Sequence, residues 1–186
     1  MLPREYYLNP DVLFLSRDLI GKYLMTKIGP TVTGGMITET EAYRAPNDRA
    51  SHAYNNRRTK RTETMFQEGG ICYVYKCYGI HSLFNIVTNG EDFPHAILIR
   101  AIQPKIGIEE MLKRRHKTEV SSGLASGPGT LTQALGITTA HNELPLTGPT
   151  IWLEDRNVKI ENIKTGPRIG VEYAQEDALL PWRFFL

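Results

Sequence analysis

Strand-like segments follow one another along this chain without the strand–helix–strand rhythm of a parallel sheet. "KYLMTKI" (22–28) and "TVTGGMITETEAY" (31–43) flank Gly29-Pro30. "CYVYKC" (72–77) and "HSLFNIVT" (81–88) flank Gly79, and "HAILIRAIQP" (95–104) follows directly. Parallel neighbours need a crossover of about a dozen residues or more, whereas antiparallel ones need only a turn. The pattern therefore predicts an α+β fold. It is a single domain over 1–186 with a curved, largely antiparallel sheet, flanking helices and a protruding hairpin.

The helices are few. Asn9-Pro10 reads as an N-cap followed by a first-turn proline, with Val12, Leu15, Leu19 and Ile20 on one face and Gly21 as the stop. "IGIEEMLKRRH" (106–116) has helical character, and "GTLTQALGI" (129–137) gives a short helix after Ser126-Gly127-Pro128. Gly34-Gly35 predicts a bulge or bend. "IWLED", "VKIENIKTG", "RIGVEY" and "PWRFFL" read as short strands. Residues 44–70 form a long polar loop, a feature that is usually functional or disordered in a compact domain.

Composition narrows the function. Hydrophobic content is 41% and net charge +2, ordinary for a globular chain. "MLPREYYLNP" lacks the apolar run of a signal peptide, and no segment has the length of a membrane span. Cys72 and Cys77 lie close together in one strand and read as packing residues in a reducing compartment. No metal site, P-loop or dinucleotide fingerprint is present, so no cofactor is expected. "RRTKR" (57–61) and "KRRHK" (113–117) concentrate positive charge. Such runs bind phosphate or merely form solvated loops and helix ends.

In "MITETEAY", strand alternation puts Ile37, Glu39, Glu41 and Tyr43 on one face. Two carboxylates beside Ile and Tyr are costly if buried without partners, and Arg100 is the natural partner. One reading is a plain ion-pair cluster. The other gives one carboxylate a structural role and the other the activation of a water. His52, a loop histidine, gains weight only beside Tyr43 and Tyr75, since three planar side chains around one cavity make a stacking slot. Asn85 lies mid-strand between Leu83 and Val87, where it either satisfies backbone or reads a base edge. The slot requires Tyr75 and Asn85 on one face. A three-residue (79–81) or five-residue (78–82) loop would set them opposite each other, whereas a two-residue turn at 79–80 would part them.

The ordered set "ITETEAYRAPNDRASHAY", "MF", "YVYKCYGIHSLFNIVT", "ILIRAIQP" and "SGPGTLTQALGI" resembles the alkyladenine (3-methyladenine) DNA glycosylases of the mammalian-type superfamily, from about Phe14 to the C-terminus. The resemblance implies a monofunctional base-excision repair enzyme. Such an enzyme flips an alkylated or deaminated purine out of duplex DNA and hydrolyses its N-glycosidic bond. Glu41 falls on the family's general base and Arg100 on the arginine that helps hold the water, with the carbonyl of Ile169 expected to do likewise. Tyr43, His52, Tyr75 and Asn85 fall on the base pocket. Tyr78 falls on the residue that fills the gap left by the flipped nucleotide. Arg57, Arg58, Lys60 and Arg61 are expected on the DNA backbone. Two positions depart from the family pattern. Thr130 stands where many relatives have lysine, and Gln67-Glu68 replaces a glycine/proline-rich turn. The partner implied is double-stranded DNA with damaged purines, bound by a monomer. The lack of a long basic N-terminal extension leans towards bacterial cytoplasm, at the nucleoid, rather than a nucleus. The competing readings are a non-catalytic nucleic-acid-binding domain on the same basic surface and hairpin, and a small-molecule hydrolase. The Glu41/Arg100 pair argues against the first, and the basic runs and Tyr78 against the second.

Overall fold

The computed structural model describes residues 1–186. Eight strands form one open sheet in which every pairing is antiparallel. They are β1 (Tyr23–Ile28), β2 (Thr31–Arg44), β3 (Cys72–Cys77), β4 (His81–Thr88), β5 (His95–Ile106), β6 (Ile151–Glu154), β7 (Lys164–Gly166) and β8 (Arg183–Phe185). The main order is β3-β4-β5-β2-β1-β6. β8 pairs with Glu39–Glu41 of β2 beyond the end of β1, and β7 pairs with β8. Four α-helices flank the sheet: α1 (Arg4–Tyr7), α2 (Val12–Asp18), α3 (Ile108–Arg114) and α4 (Pro128–Leu135). None is long and apolar enough to cross a membrane.

One sheet face carries the core. Val12, Leu15 and Leu19 around α2 and Leu131, Ala134 and Leu135 from α4 pack with Ile37, Ala42, Phe84, Ile86, Ile97 and Ile99. The opposite face of β3, β4 and β5 carries a smaller cluster around Tyr73, Val87 and Ala96, covered by Met65 and Phe66 of the 44–70 loop. That loop is largely ordered by two short 3₁₀ turns, at Tyr54–Asn56 and Glu63–Phe66.

Several expectations are corrected. The α2 cap is Asp11, whose carboxylate accepts the N–H groups of Leu13 and Phe14; Asn9 instead accepts the Asp11 N–H. "VKIENIKTG" contributes only its last three residues as strand, and "RIGVEY" is irregular backbone leading into a 3₁₀ segment, Glu172–Leu179. The Gly34-Gly35 irregularity is present. A Cβ on Gly35 would come within 2.3 Å of the Gln103 carbonyl oxygen, so the close strand approach needs glycine there.

A second irregularity changes a face. Ile37 pairs with Ile102 and Glu39 with Ala101, leaving Thr38 as an extra residue; Thr40 then pairs with Ile99, leaving Arg100 extra on β5. Bulges of this kind re-aim side chains. Ile37 therefore joins the core, while Glu39, Glu41 and Tyr43 turn to the other face. The predicted four-residue face is three residues long.

Candidate active site

Glu41 has no exposed surface. Its Oε1 accepts the Ile169 N–H at 2.8 Å, and its Oε2 accepts the Tyr43 hydroxyl at 2.8 Å. Arg100 Nε lies 3.4 Å from Oε1. Burial pushes this carboxyl above its ordinary range, with Arg100, the Ile169 N–H and the Tyr43 hydroxyl pulling it back. Ile169 thus touches the site through its amide, while its side chain stands half exposed. The two carboxylates differ in their partners. Glu39 Oε1 accepts from Arg100 Nε at 2.9 Å and from Arg183 of β8 at 3.1 Å, which ties it into a structural pair.

Beside Glu41, a slot is lined by Tyr43, Ala50, His52, Met65, Tyr73, Tyr75, Asn85 and Ala96. His52 sits edge-on to Tyr75 at 4.7 Å between ring centroids, and Tyr73 and Tyr75 are 5.3 Å apart. The hairpin register explains the alignment. Cys77 pairs with His81, so the loop is 78–80, and Tyr75 faces Leu83 while Tyr73 faces Asn85. The odd loop keeps Tyr75 and Asn85 on one face, but as diagonal neighbours rather than opposite each other. The Asn85 side chain donates to the Tyr73 carbonyl at 3.1 Å.

His52 Nδ1 is 2.9 Å from the Tyr73 hydroxyl, and Arg61 Nη2 lies 3.4 Å from Nε2. An arginine only donates, so Nε2 accepts and Nδ1 carries the proton. Burial, aided by Arg61, pushes the imidazole down to about 4. Between pH 6.5 and about 4 the unfolded chain takes up a proton that folded His52 refuses. Stability therefore falls as pH drops through that window and levels off below it. Relative to a His52→Gln variant, the wild type is expected to lose roughly 2–3 kcal/mol more between pH 7 and pH 4.5. Urea unfolding measures this, and an NMR titration midpoint of His52 near 6.5 would overturn it.

Tyr78 is 94% exposed at the hairpin tip, with φ +50°. The basic loop is less uniform than its sequence. Arg57 and Lys60 are exposed. Arg58 is held by Glu63 and Asp92 and lies over the Phe66 ring. Arg61 lies 4.7 Å over the Tyr75 ring. Arg49, Arg57 and Arg61 line a cavity of about 300 Å³ that shares His52 with the slot. In the second run, Arg114 and Arg115 bond to backbone carbonyls of Ile28, Ala134, Gly123 and Leu124, so they tie α3 to its surroundings. Glu68 is matched by Arg4 at 2.9 Å, and Thr130 bonds the Gly127 carbonyl. Cys72 is buried and Cys77 half-buried, both free. No group of three or more His, Cys, Asp or Glu side chains is placed to hold a metal ion.

Sequence reasoning missed Arg183 and also Arg168, which is buried with Asp48 behind Tyr43. It also missed Tyr73, whose ring lines the slot and whose hydroxyl meets His52.

The family model described as methylpurine-DNA glycosylase matches residues 6–186. Relatives named "Putative 3-methyladenine DNA glycosylase" align along the whole chain. One from Chlamydia felis is 48% identical and 96% covered, and one from Bacillus licheniformis is 43% identical and 92% covered. A third, from Desulfitobacterium hafniense, is 40% identical and 94% covered.

Proposed function

The chain belongs to the methylpurine-DNA glycosylase family, and on that premise we propose that it flips alkylated or deaminated purines out of duplex DNA and hydrolyses their N-glycosidic bond with a water activated by Glu41. The observation that carries this reading is the junction of slot and carboxylate. Tyr43 lines the aromatic slot and donates its hydroxyl to the fully buried Glu41. A pure nucleic-acid binder has no use for a costly buried carboxylate beside its base slot.

The chemistry follows from the partners. The fixed donors at Oε1 and Oε2 orient the carboxylate, and Oε2 keeps a lone pair for a water. Arg100 favours the ionised form that a general base requires. As the glycosidic bond breaks, positive charge develops on the sugar. The ionised Glu41 both stabilises that charge and removes the water's proton. A cationic alkylated purine is attracted to the electron-rich faces of Tyr43 and Tyr75. The slot encloses only about 20 Å³ without a base, so its walls part as the base enters. The Asn85 amide faces that base and screens its edge. Tyr78 fills the gap in the duplex. We place the enzyme, as one glycosylase domain acting as a monomer, in the bacterial cytoplasm at the nucleoid.

Duplexes carrying hypoxanthine, ethenoadenine or 3-methyladenine test the reading: free base should be released from at least one, leaving an uncleaved abasic strand. Lack of release from all three would defeat it. Affinity should also fall with salt. Two or three phosphate contacts by Arg57, Lys60 and Arg61 predict a log–log slope of about −2 to −3, and Arg57→Gln should flatten it by about 1. A flat wild-type response would remove DNA as the partner.

A further inference from the structure

We propose that Arg168, paired with Asp48, is the positioning residue of this active site: it holds the backbone and ring that present hydrogen-bond donors to Glu41. This rests on the glycosylase reading above and adds to it residues outside the slot.

Three chain segments supply the site: β2 with Glu41 and Tyr43, the loop with Ala50 and His52, and the irregular segment with Ile169. Nothing in regular secondary structure fixes the last two. Arg168 joins all three. Its Nη1 donates to the carbonyl of Ala42, the residue between Glu41 and Tyr43, at 2.9 Å. Its two terminal nitrogens grip Asp48, at 2.5 and 2.7 Å. Nη2 also donates to the Asp177 carbonyl at 3.2 Å. Asp48 in turn accepts the backbone N–H groups of Arg44 and Ala50, which shapes the turn leading to His52.

The guanidinium also stacks. It lies 4.8 Å from the Tyr43 ring centre and 5.1 Å from that of Trp182. Arg168 is absent from the slot lining, so it backs Tyr43 from the side away from the slot. Both side chains of the pair have no exposed surface, and Arg168 Nε has no hydrogen-bond partner. A buried ion pair is weak evidence for stability in itself, and retaining one with an unsatisfied N–H calls for a positional reason. Here that reason is adjacency. Ile169, the next residue, gives its N–H to Glu41 Oε1, and Tyr43 gives its hydroxyl to Oε2. Arg168 makes no hydrogen bond or close ion pair with Glu41; beyond the longer-range attraction of its charge, it acts on Glu41 through these two donors. The other charged groups facing Glu41 are Arg100 and Glu39.

Arg168→Lys keeps the charge but loses the planar two-pronged grip and the stacking. In single-turnover release from a lesion duplex, at least a 10-fold slower rate is expected, with lesion binding within about 3-fold of wild type. The acid limb of the rate profile should also move to higher pH, because loosened Ile169 and Tyr43 donors no longer hold the Glu41 proton affinity down. A structural brace alone would leave that limb in place. Should Arg168→Lys fail to fold, Arg168→Met with Asp48→Asn removes the charges together and keeps an acceptor for one of the two backbone N–H groups, those of Arg44 and Ala50. The same two changes are expected of it. A folded variant with wild-type rate and wild-type acid limb overturns the proposal. Loss of release in the wild type itself would instead overturn the glycosylase reading.

Discussion

Glu41→Gln is expected to lower base release by roughly 10²–10⁴-fold, the usual range for losing a general base, while lesion-duplex affinity stays within a few-fold of wild type. The glutamine is nearly the same size, so no cavity opens at this fully buried position. Its carbonyl oxygen can accept the Ile169 N–H, and the Tyr43 hydroxyl can rotate to accept from its amide. Arg100 retains Glu39 at 2.9 Å. The fold and the slot therefore survive, and only the charge is lost. The pH profile gives a second reading. The base works ionised, so the wild-type rate falls as pH drops through the Glu41 pKa. Burial places that limb above the ordinary carboxylate range. The residual rate of the variant should lack it. Wild-type release by Glu41→Gln would sink the role assigned to this carboxylate.

Much of this arrangement was legible before any coordinates, for reasons tied to short-range pattern. Alternation over Glu39, Glu41 and Tyr43 gave one face because β2 itself has no extra residue there; the irregularity after Glu39 lies on β5. It failed at Ile37, since the extra residue Thr38 leaves no mark in a sequence of β-formers. Arg100 announced itself as a charge in an apolar strand, but not as the extra residue of a bulge in β5 itself. The hairpin loop was odd-numbered, which fixed the shared face of Tyr75 and Asn85. Its centre at Gly79 rather than Ile80 shifted the pairing, because Tyr78 as well as Gly79 adopts positive φ. Arg168 and Asp48 were invisible. They are 120 residues apart in sequence, each lies in irregular backbone, and an isolated Asp or Arg there reads as solvated surface. "RIGVEY" looked like a strand from its β-branched residues, yet its job is to bring one N–H to Glu41, which no periodicity encodes.

Tyr78→Ala is expected to weaken capture of the flipped lesion by about 10- to 100-fold, in affinity or in the single-turnover half-saturation, with the stability of the free protein unchanged. Tyr78 and Gly79 have φ of +50° and +71°, and the turn closes with the Ile80 N–H donating to the Cys77 carbonyl. Positive φ is free for Gly79 but disfavoured for a residue that carries a Cβ. For tyrosine that conformation costs about 1–2 kcal/mol. Nothing in the free protein offsets it, because the ring is 94% exposed and packs on no core cluster. The compensation has to come in the complex. Burying such a ring is worth about 1.5–3 kcal/mol, and each 1.4 kcal/mol is tenfold in affinity, which gives the range stated. The loss should appear with lesion and undamaged duplexes alike if Tyr78 only grips the groove. It should fall chiefly on lesion duplexes if the ring fills the vacated stack, since only there is a nucleotide stably out. Exposed Ile80 beside it offers a smaller wedge, so Tyr78→Ala with Ile80→Ala should weaken capture further. Unchanged affinity and rate in the double variant would rule out the hairpin tip as the element that enters the duplex.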